Sequence, residues 1–208
     1  MGAGNPCRLG NGQARSRLES FWMAQQVAPG PGRRPAAVLV PIYRGPAGPA
    51  LILIRRTPGG LHSGQIAFPG GRPEPGDRNL EATALREAEE ELGIDPQLVT
   101  IGGTLPVVET IVSNYVIYPF VGWLTARPVM KAQASEVAAI LDVPLESLMG
   151  EPVEEWWEMP AQETGEIRRR LVRFFPWGED RIWGATQQMI ESLVLAIRAG
   201  DLDVNARI

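Results

Sequence analysis

Apolar and polar positions divide the chain into a few blocks. Ala36 to Tyr43 and Ala50 to Ile54 are nearly continuous apolar runs on either side of a Gly/Pro-rich turn at 45–49, which predicts a β-hairpin. A shorter run, Gln65 to Phe68, ends at Pro69-Gly70-Gly71. From Leu80 to Leu92 the spacing turns helical. Leu85, Ala88 and Leu92 share a face at about 100° per residue, and Gly93 stands where a helix-terminating glycine belongs. Leu98 to Gly103, Leu105 to Val112 and Tyr115 to Leu124 are rich in Val, Ile, Tyr and Phe and predict strands. Ser135 to Leu141 and Leu145 to Met149 predict short helical pieces around Val143-Pro144. Arg168 to Phe175 predicts another strand, and Trp183 to Arg198 a long final helix with Met189, Leu193 and Ala196 on one side. Strands and two substantial helices without regular β-α-β alternation predict an α+β fold, a mixed sheet flanked by helices.

The ends and the composition narrow this further. Residues 1–16 are small and polar and predict a flexible leader. Arg17 to Val27 predicts a short amphipathic helix, broken by Pro29-Gly30-Pro31-Gly32. The expected organisation is a leader over 1–30, one domain over 31–200 and a tail over 201–208. With 208 residues, 44% hydrophobic and 21% charged, the composition is that of a globular domain. Cys7 is the only cysteine, so an internal disulfide framework is excluded. His62 is the only histidine, which removes a Cys/His zinc centre and any scheme that needs two histidines. A net charge of −4 is not the basic footprint of a duplex nucleic-acid binder. Lys131 is the only lysine, which leaves Schiff-base chemistry almost no place. Neither a secretory segment nor a membrane span is expected, and a cytoplasmic, reducing setting fits.

The chemistry concentrates between Gly70 and Ile94. Glu87, Glu90 and Glu91 are expected to lie together, roughly opposite the apolar face of the helix. Glu87 and Glu91 form a like-charged i,i+4 pair, which costs a few tenths of a kcal/mol. They also sit near the helix C-terminus, where the macrodipole disfavours anions. Two readings stay open. One is a solvated acidic face, softened by Arg86 pairing with Glu89 or Glu90. The other is a site for a hard divalent cation, which takes carboxylate oxygens together with substrate phosphates. Phe68-Pro69-Gly70-Gly71 precedes this helix, and paired glycines let the backbone approach a ligand closely. An apolar strand, a glycine bend and a carboxylate helix make a workable cradle for a metal–diphosphate.

Gly71 to Ile94 resembles the Nudix box: Gly, five residues, Glu, seven residues, then Arg-Glu-apolar-x-Glu-Glu-x-Gly-apolar. Arg86-Glu87-Ala88-Glu89-Glu90-Glu91-Leu92-Gly93-Ile94 matches the second half at every fixed position. In the first half Asp77 stands for the usual Glu, with one extra residue before Arg86. That spacing resembles the coenzyme A diphosphatase branch. So do His62-Ser63-Gly64-Gln65-Ile66-Ala67-Phe68-Pro69-Gly70-Gly71, Tyr118-Pro119-Phe120-Val121, Glu136-Val137 and Arg181-Ile182-Trp183-Gly184-Ala185-Thr186. The chain departs from that branch at Leu53, where Thr is favoured, at Arg56, where a small residue is favoured, and at Gly60, often Arg.

The resemblance implies a Nudix-type mixed sheet sandwiched between helices (α/β/α). It implies Mg²⁺ or Mn²⁺ held by Glu87, Glu90 and Glu91, with a backbone carbonyl of the Gly70-Gly71 bend joining them. Arg86 is implied to hold the glutamates by ion pairing. The general base is not fixed: Glu136 is a candidate, Glu109 a weaker one, and Glu91 itself a third. Arg55 is implied as a phosphate clamp, against an equal expectation of a strand-end salt bridge, and His62 and Gln65 as lining of the substrate path. Trp156, Trp157 and Trp177 are expected in the core more than on a nucleobase, and Arg168-Arg169-Arg170 on a solvated strand edge more than on a 3′-phosphate. The implied reaction cuts coenzyme A or acyl-CoA into adenosine 3′,5′-bisphosphate and (acyl-)4′-phosphopantetheine. The alternatives are ADP-ribose, a dinucleotide or a nucleoside triphosphate as substrate, or a silent nucleotide-sensing module. The implied partner is a small nucleotide derivative, with no nucleic acid and no membrane, and the expected state is a monomer or homodimer.

Overall fold

The computed structural model describes residues 32–59, 63–110, 113–160 and 165–207. The expected helix over Arg17 to Val27 and the candidate His62 lie outside the described residues.

The fold is built on strand β1, Arg34–Gly45, in which Ala36 through Tyr43 are all buried. A strand apolar on both faces belongs in the middle of a sheet covered on both sides. β1 turns into β2, Gly48–Arg56, and the two pair antiparallel only from Ile42↔Leu51 to Gly45↔Gly48. Beyond that point they part, and each takes a partner from the segment that follows. β3, Ile66–Ala67, pairs with Ile54 and Arg55, while β4, Gly70–Gly71, pairs with Ala37 and Val38. The glycine bend is thus wedged into a fork between two diverging strands.

On its other edge β1 runs parallel to β7, Tyr115–Leu124, in register from Arg34↔Tyr115 to Tyr43↔Leu124. β5, Thr100–Thr104, and β6, Val108–Glu109, pair antiparallel with β7, and β8, Val137–Pro144, pairs antiparallel with β2. The sheet is therefore mixed. Helix α1, Leu80–Leu92, covers one face: Ala84 and Ala88 pack with Ala37, Leu39 and Phe120, and Leu92 with Ile52, Ile54 and Leu124. Helix α2, Gly184–Arg198, covers the other, packing Met189, Ile190, Leu193 and Val194 with Val38, Val40 and Ile42. Alternate residues of β1 serve the two helices, as the pleat dictates. The result is the expected mixed sheet between helices. Leu202 and Val204, just past α2, are buried in the same cluster as its apolar face. A second antiparallel sheet is formed by β9, Val153–Pro160, β10, Ile167–Trp177, and β11, Asp180–Trp183.

One local expectation is corrected, and one strand appears where none was expected. Ser135 to Leu141 is not helical; from Val137 the chain is strand β8, because pairing along β2 overrides a local Ala-rich pattern. β9 carries no strand signal in its Glu-rich sequence, and is held by its hairpin partner and by cross-strand pairs such as Arg173–Glu154 at 3.3 Å. No helix among the described residues is long and apolar enough to cross a membrane.

Candidate active site

Helix α1 is anchored at both ends. Asn79, extended at the N-cap, accepts a hydrogen bond from the Ala82 N–H at 2.8 Å. Gly93 takes the left-handed conformation (φ 70°), and its N–H donates to the Glu89 carbonyl at 2.7 Å. The carbonyls of Glu91 and Leu92 would be unpaired at a helix end. They accept instead from the N–H groups of Gln133 (2.9 Å) and Lys131 (2.8 Å). The segment before β8 is thereby pinned across the end of α1. Glu136 follows, with its carbonyl accepting from the Thr57 N–H at 2.9 Å. One short stretch of chain thus brings Glu136 between the end of β2 and the glutamate helix.

The three glutamates implied as a ligand set do not share one environment. Glu91 does not lie on a polar face: it is 1% exposed, turned towards the glycine bend. Its Oε2 accepts from the Gly70 N–H at 3.1 Å, and its Oε1 is buried with no hydrogen-bond partner. Burial pushes the Glu91 carboxyl up to about 7, against the pull of the Arg56 guanidinium and the Gly70 N–H; Glu87 and Glu136 add to the rise. Glu87 is raised too, chiefly by burial, with Arg86 opposing and Glu90 and Glu136 adding to the rise. Glu90 is half-exposed, with its carboxylate on Arg86 at 2.8 Å.

The glycines are needed for close approach. A side chain at Gly71 would run into the Glu87 carboxylate, and one at Gly70 into the β1 backbone at Ala37 and Val38. β4 therefore presses directly against both the sheet and the glutamates.

Arg86 is fully committed. Its Nε and Nη2 donate to the two Asp77 oxygens at 3.1 and 3.2 Å, Nη2 also to Glu87 Oε1 and the Arg72 carbonyl, both at 3.0 Å, and Nη1 to Glu90. Asp77 also accepts from the Glu74 N–H and the Thr83 hydroxyl, both at 2.9 Å. The Arg86 hydrogen bonds, with those of Glu74 and Thr83, hold the Asp77 carboxyl down to about 2. The residue that departs from the box pattern thus anchors the arginine.

The remaining candidates separate. Arg55 makes a two-pronged ion pair with Asp180 of β11, at 2.6 and 2.5 Å, the strand salt bridge that was the other expectation for it. Gln65 lines an open cavity of about 350 Å³ with Ser63, Gly64, Glu179, Asp180 and Arg181. Glu109 is paired with Arg33 at 3.1 Å. Trp157 packs on Phe174 and Trp183, and Trp156 is exposed beneath Arg169. Sequence reasoning singled out Arg56 only as a departure. Here its Nη1 lies 3.7 Å from Glu91 Oε1 and its Nη2 4.0 Å from Glu136 Oε2.

Among the described residues, no group of three or more His, Cys, Asp or Glu side chains is arranged to hold a metal ion. Two features nevertheless suit a divalent cation. Glu91 carries a buried oxygen without a donor, and the missing side chain at Gly71 leaves the Glu87 carboxylate its place against the bend. A hard cation satisfies such an oxygen without a proton.

The NUDIX domain family matches residues 32–163. The uncharacterized Nudix hydrolase NudL of Pectobacterium atrosepticum is 36% identical over 170 residues, 79% of this chain and 83% of that protein. The NudL of Photorhabdus laumondii is 36% identical over 179 residues, 83% of this chain and 92% of that one. Among solved structures, a MutT/nudix family protein from Enterococcus faecalis superposes with a TM-score of 0.53 at 13% identity, covering 92% of this chain and 76% of that one, a likeness of fold alone. The chain, with its glycine bend, its anchored glutamate helix and its mixed sheet between helices, belongs to the Nudix hydrolase family.

Proposed function

We propose that this chain is a metal-dependent diphosphatase that cuts the phosphoanhydride bond of a nucleoside diphosphate derivative. The observation that supports it best is the Glu91 oxygen, buried without a donor beside the Gly70-Gly71 bend. Glu87 and Glu91 would hold Mg²⁺ or Mn²⁺, with Glu90 at the exposed end of the same helix. A bound divalent cation neutralises diphosphate oxygens and makes water more acidic.

The protein's own groups then have separate tasks. The Gly70 N–H keeps Glu91 oriented. Arg86, itself fixed by Asp77, positions Glu87 and Glu90 without touching substrate. Glu136, half-exposed and 4.0 Å from Arg56, would take a proton from attacking water. Water oxygen attacks one phosphorus, the bridging P–O bond breaks, and the second phosphate leaves with the bond's electron pair. Coenzyme A or ADP-ribose would give two phosphate monoesters, a nucleoside triphosphate would give a nucleoside monophosphate and inorganic diphosphate, and no covalent enzyme intermediate is required.

Coenzyme A and its thioesters are one member of this substrate class. ADP-ribose, dinucleotides and nucleoside triphosphates are the others. Arg55, implied as a phosphate clamp, is already held by Asp180. The reading therefore rests on the diphosphate that all these compounds share. The test is a substrate panel with Mn²⁺ and product masses. Phosphate monoesters released from at least one compound are expected, and the ratio of kcat/KM values then assigns the class. No turnover of any member overturns the proposal.

A further inference from the structure

β2 ends in two successive arginines whose side chains go to different places, as neighbouring strand residues do. Arg55 is locked onto Asp180 by two hydrogen bonds. Arg56 reaches the glutamates from across the bend. Its nitrogens lie 3.7 Å from Glu91 and 4.0 Å from Glu136, within ion-pair range but beyond hydrogen-bond length. Its side chain is 32% exposed, so it has room to turn. The carboxylates within ion-pair range of it are Glu91 from α1 and Glu136 from the segment before β8. One guanidinium thus faces two carboxylates, and the nearest oxygen, Glu91 Oε1, still has no donor.

A guanidinium normally satisfies a carboxylate by direct, paired N–H donation, as Arg86 does with Asp77. Arg56 supplies charge alone. A divalent cation on Glu91 would take the role that Arg56 now fills and would repel it. A guanidinium released from Glu91 keeps Glu136 within reach and, at the mouth of a diphosphate site, meets the diphosphate as a further anion.

We infer that Arg56 is an exchangeable counter-ion of the site: it neutralises Glu91 and Glu136 before the divalent cation binds, is displaced from Glu91 by that cation, and then pairs with the diphosphate. The inference rests on Glu87 and Glu91 as cation ligands. It implies effects of opposite sign on two ligands. Removing the guanidinium should tighten the metal and loosen the diphosphate.

The full chain is titrated with Mn²⁺, read by electron paramagnetic resonance, with and without methylenediphosphonate as a hydrolysis-resistant diphosphate. Arg56→Gln is expected to bind Mn²⁺ alone about 3- to 30-fold more tightly than wild type, and methylenediphosphonate in the presence of Mn²⁺ several-fold more weakly. Unchanged or weaker Mn²⁺ binding in Arg56→Gln overturns the exchange, and unchanged diphosphonate binding overturns its second half. If the wild type takes up no Mn²⁺, the cation site itself is wrong and this inference falls with it. A second measurement needs no folded variant: the arginine side-chain ¹⁵N–¹H spectrum of the wild type during Mg²⁺ titration. The Arg56 Nε–H signal should move by more than that of Arg86, whose Nε donates to Asp77; an Arg56 signal unmoved at saturating Mg²⁺ overturns the exchange.

Discussion

Two arginines serve the carboxylates of α1, and the structure treats them in opposite ways. On one flank Arg86 donates to Asp77, Glu87, Glu90 and a backbone carbonyl, and Asp77 is in turn satisfied by a hydroxyl and an N–H. At the C-terminal end Arg56 stands off from Glu91 and Glu136, and a buried Glu91 oxygen has no donor at all. The helix is thus closed on one flank and open at the other. A saturated network contributes stability and fixes geometry. An unsaturated buried carboxylate costs stability and persists where a ligand completes it. The closed flank holds the fold, and on the proposed function the open end would carry the chemistry.

The largest effects should come from the open end. Glu91→Gln keeps the shape and removes the charge. Loss of several kcal/mol of transition-state stabilisation corresponds to a fall in kcat of at least about 100-fold with saturating Mn²⁺. Metal-free stability, from urea unfolding at pH 8, should equal or exceed that of wild type, because a strained buried charge has been removed. A variant that keeps wild-type turnover would end the distinction between the two regions. Asp77→Asn on the closed flank should show the reverse order: an unfolding free energy lower by about 1–3 kcal/mol, with the loss in kcat following from loosened glutamates. The pH dependence carries its sign. The Asp77 carboxyl is depressed to about 2, below its unfolded value near 3.9. Its contribution is therefore complete above about pH 4 and lost as pH falls towards 2. The stability gap between wild type and Asp77→Asn should close over that interval; a gap constant down to pH 2 would show that Asp77 is not held by charge.

How much of this could be read from the residues follows from what sets each feature. The β1–β2 hairpin, strand β7 and both helices declare themselves, because long apolar runs and a clean 3.6-residue period leave little choice. β3 and β4 are two residues each and exist only because β1 and β2 part and leave edges to pair with. Helical periodicity puts Glu91 with Glu87 and Glu90, roughly opposite the apolar face. That reasoning assumes one buried side. α1 is covered on two sides, by the sheet and by the segment whose N–H groups at Lys131 and Gln133 cap its last carbonyls, so its buried arc extends past the apolar stripe and takes in Glu91. Asp77 and Arg56, both visible as departures from the family pattern, could not be assigned partners, since those partners come from residues folded against them.

The boundary between the two regions falls within α1 itself, and smaller substitutions locate it. Gly71→Ala places a methyl where the Glu87 carboxylate now lies, and the carboxylate must move because the bend is paired to β1. Such overpacking costs about 1–3 kcal/mol, and it should weaken Mn²⁺ binding as well, since the displaced group is the one proposed as ligand. Glu90→Gln should have the smallest effect on stability. Glu90 is half-exposed and joined to the closed flank through one i,i+4 pair, so its loss should change the unfolding free energy by no more than about 0.5 kcal/mol. A loss of 2 kcal/mol or more would put Glu90 inside the closed network and move the boundary one turn towards the C-terminus. A small stability change accompanied by weaker Mn²⁺ binding would place it on the open side, where a carboxylate matters only once a cation is present.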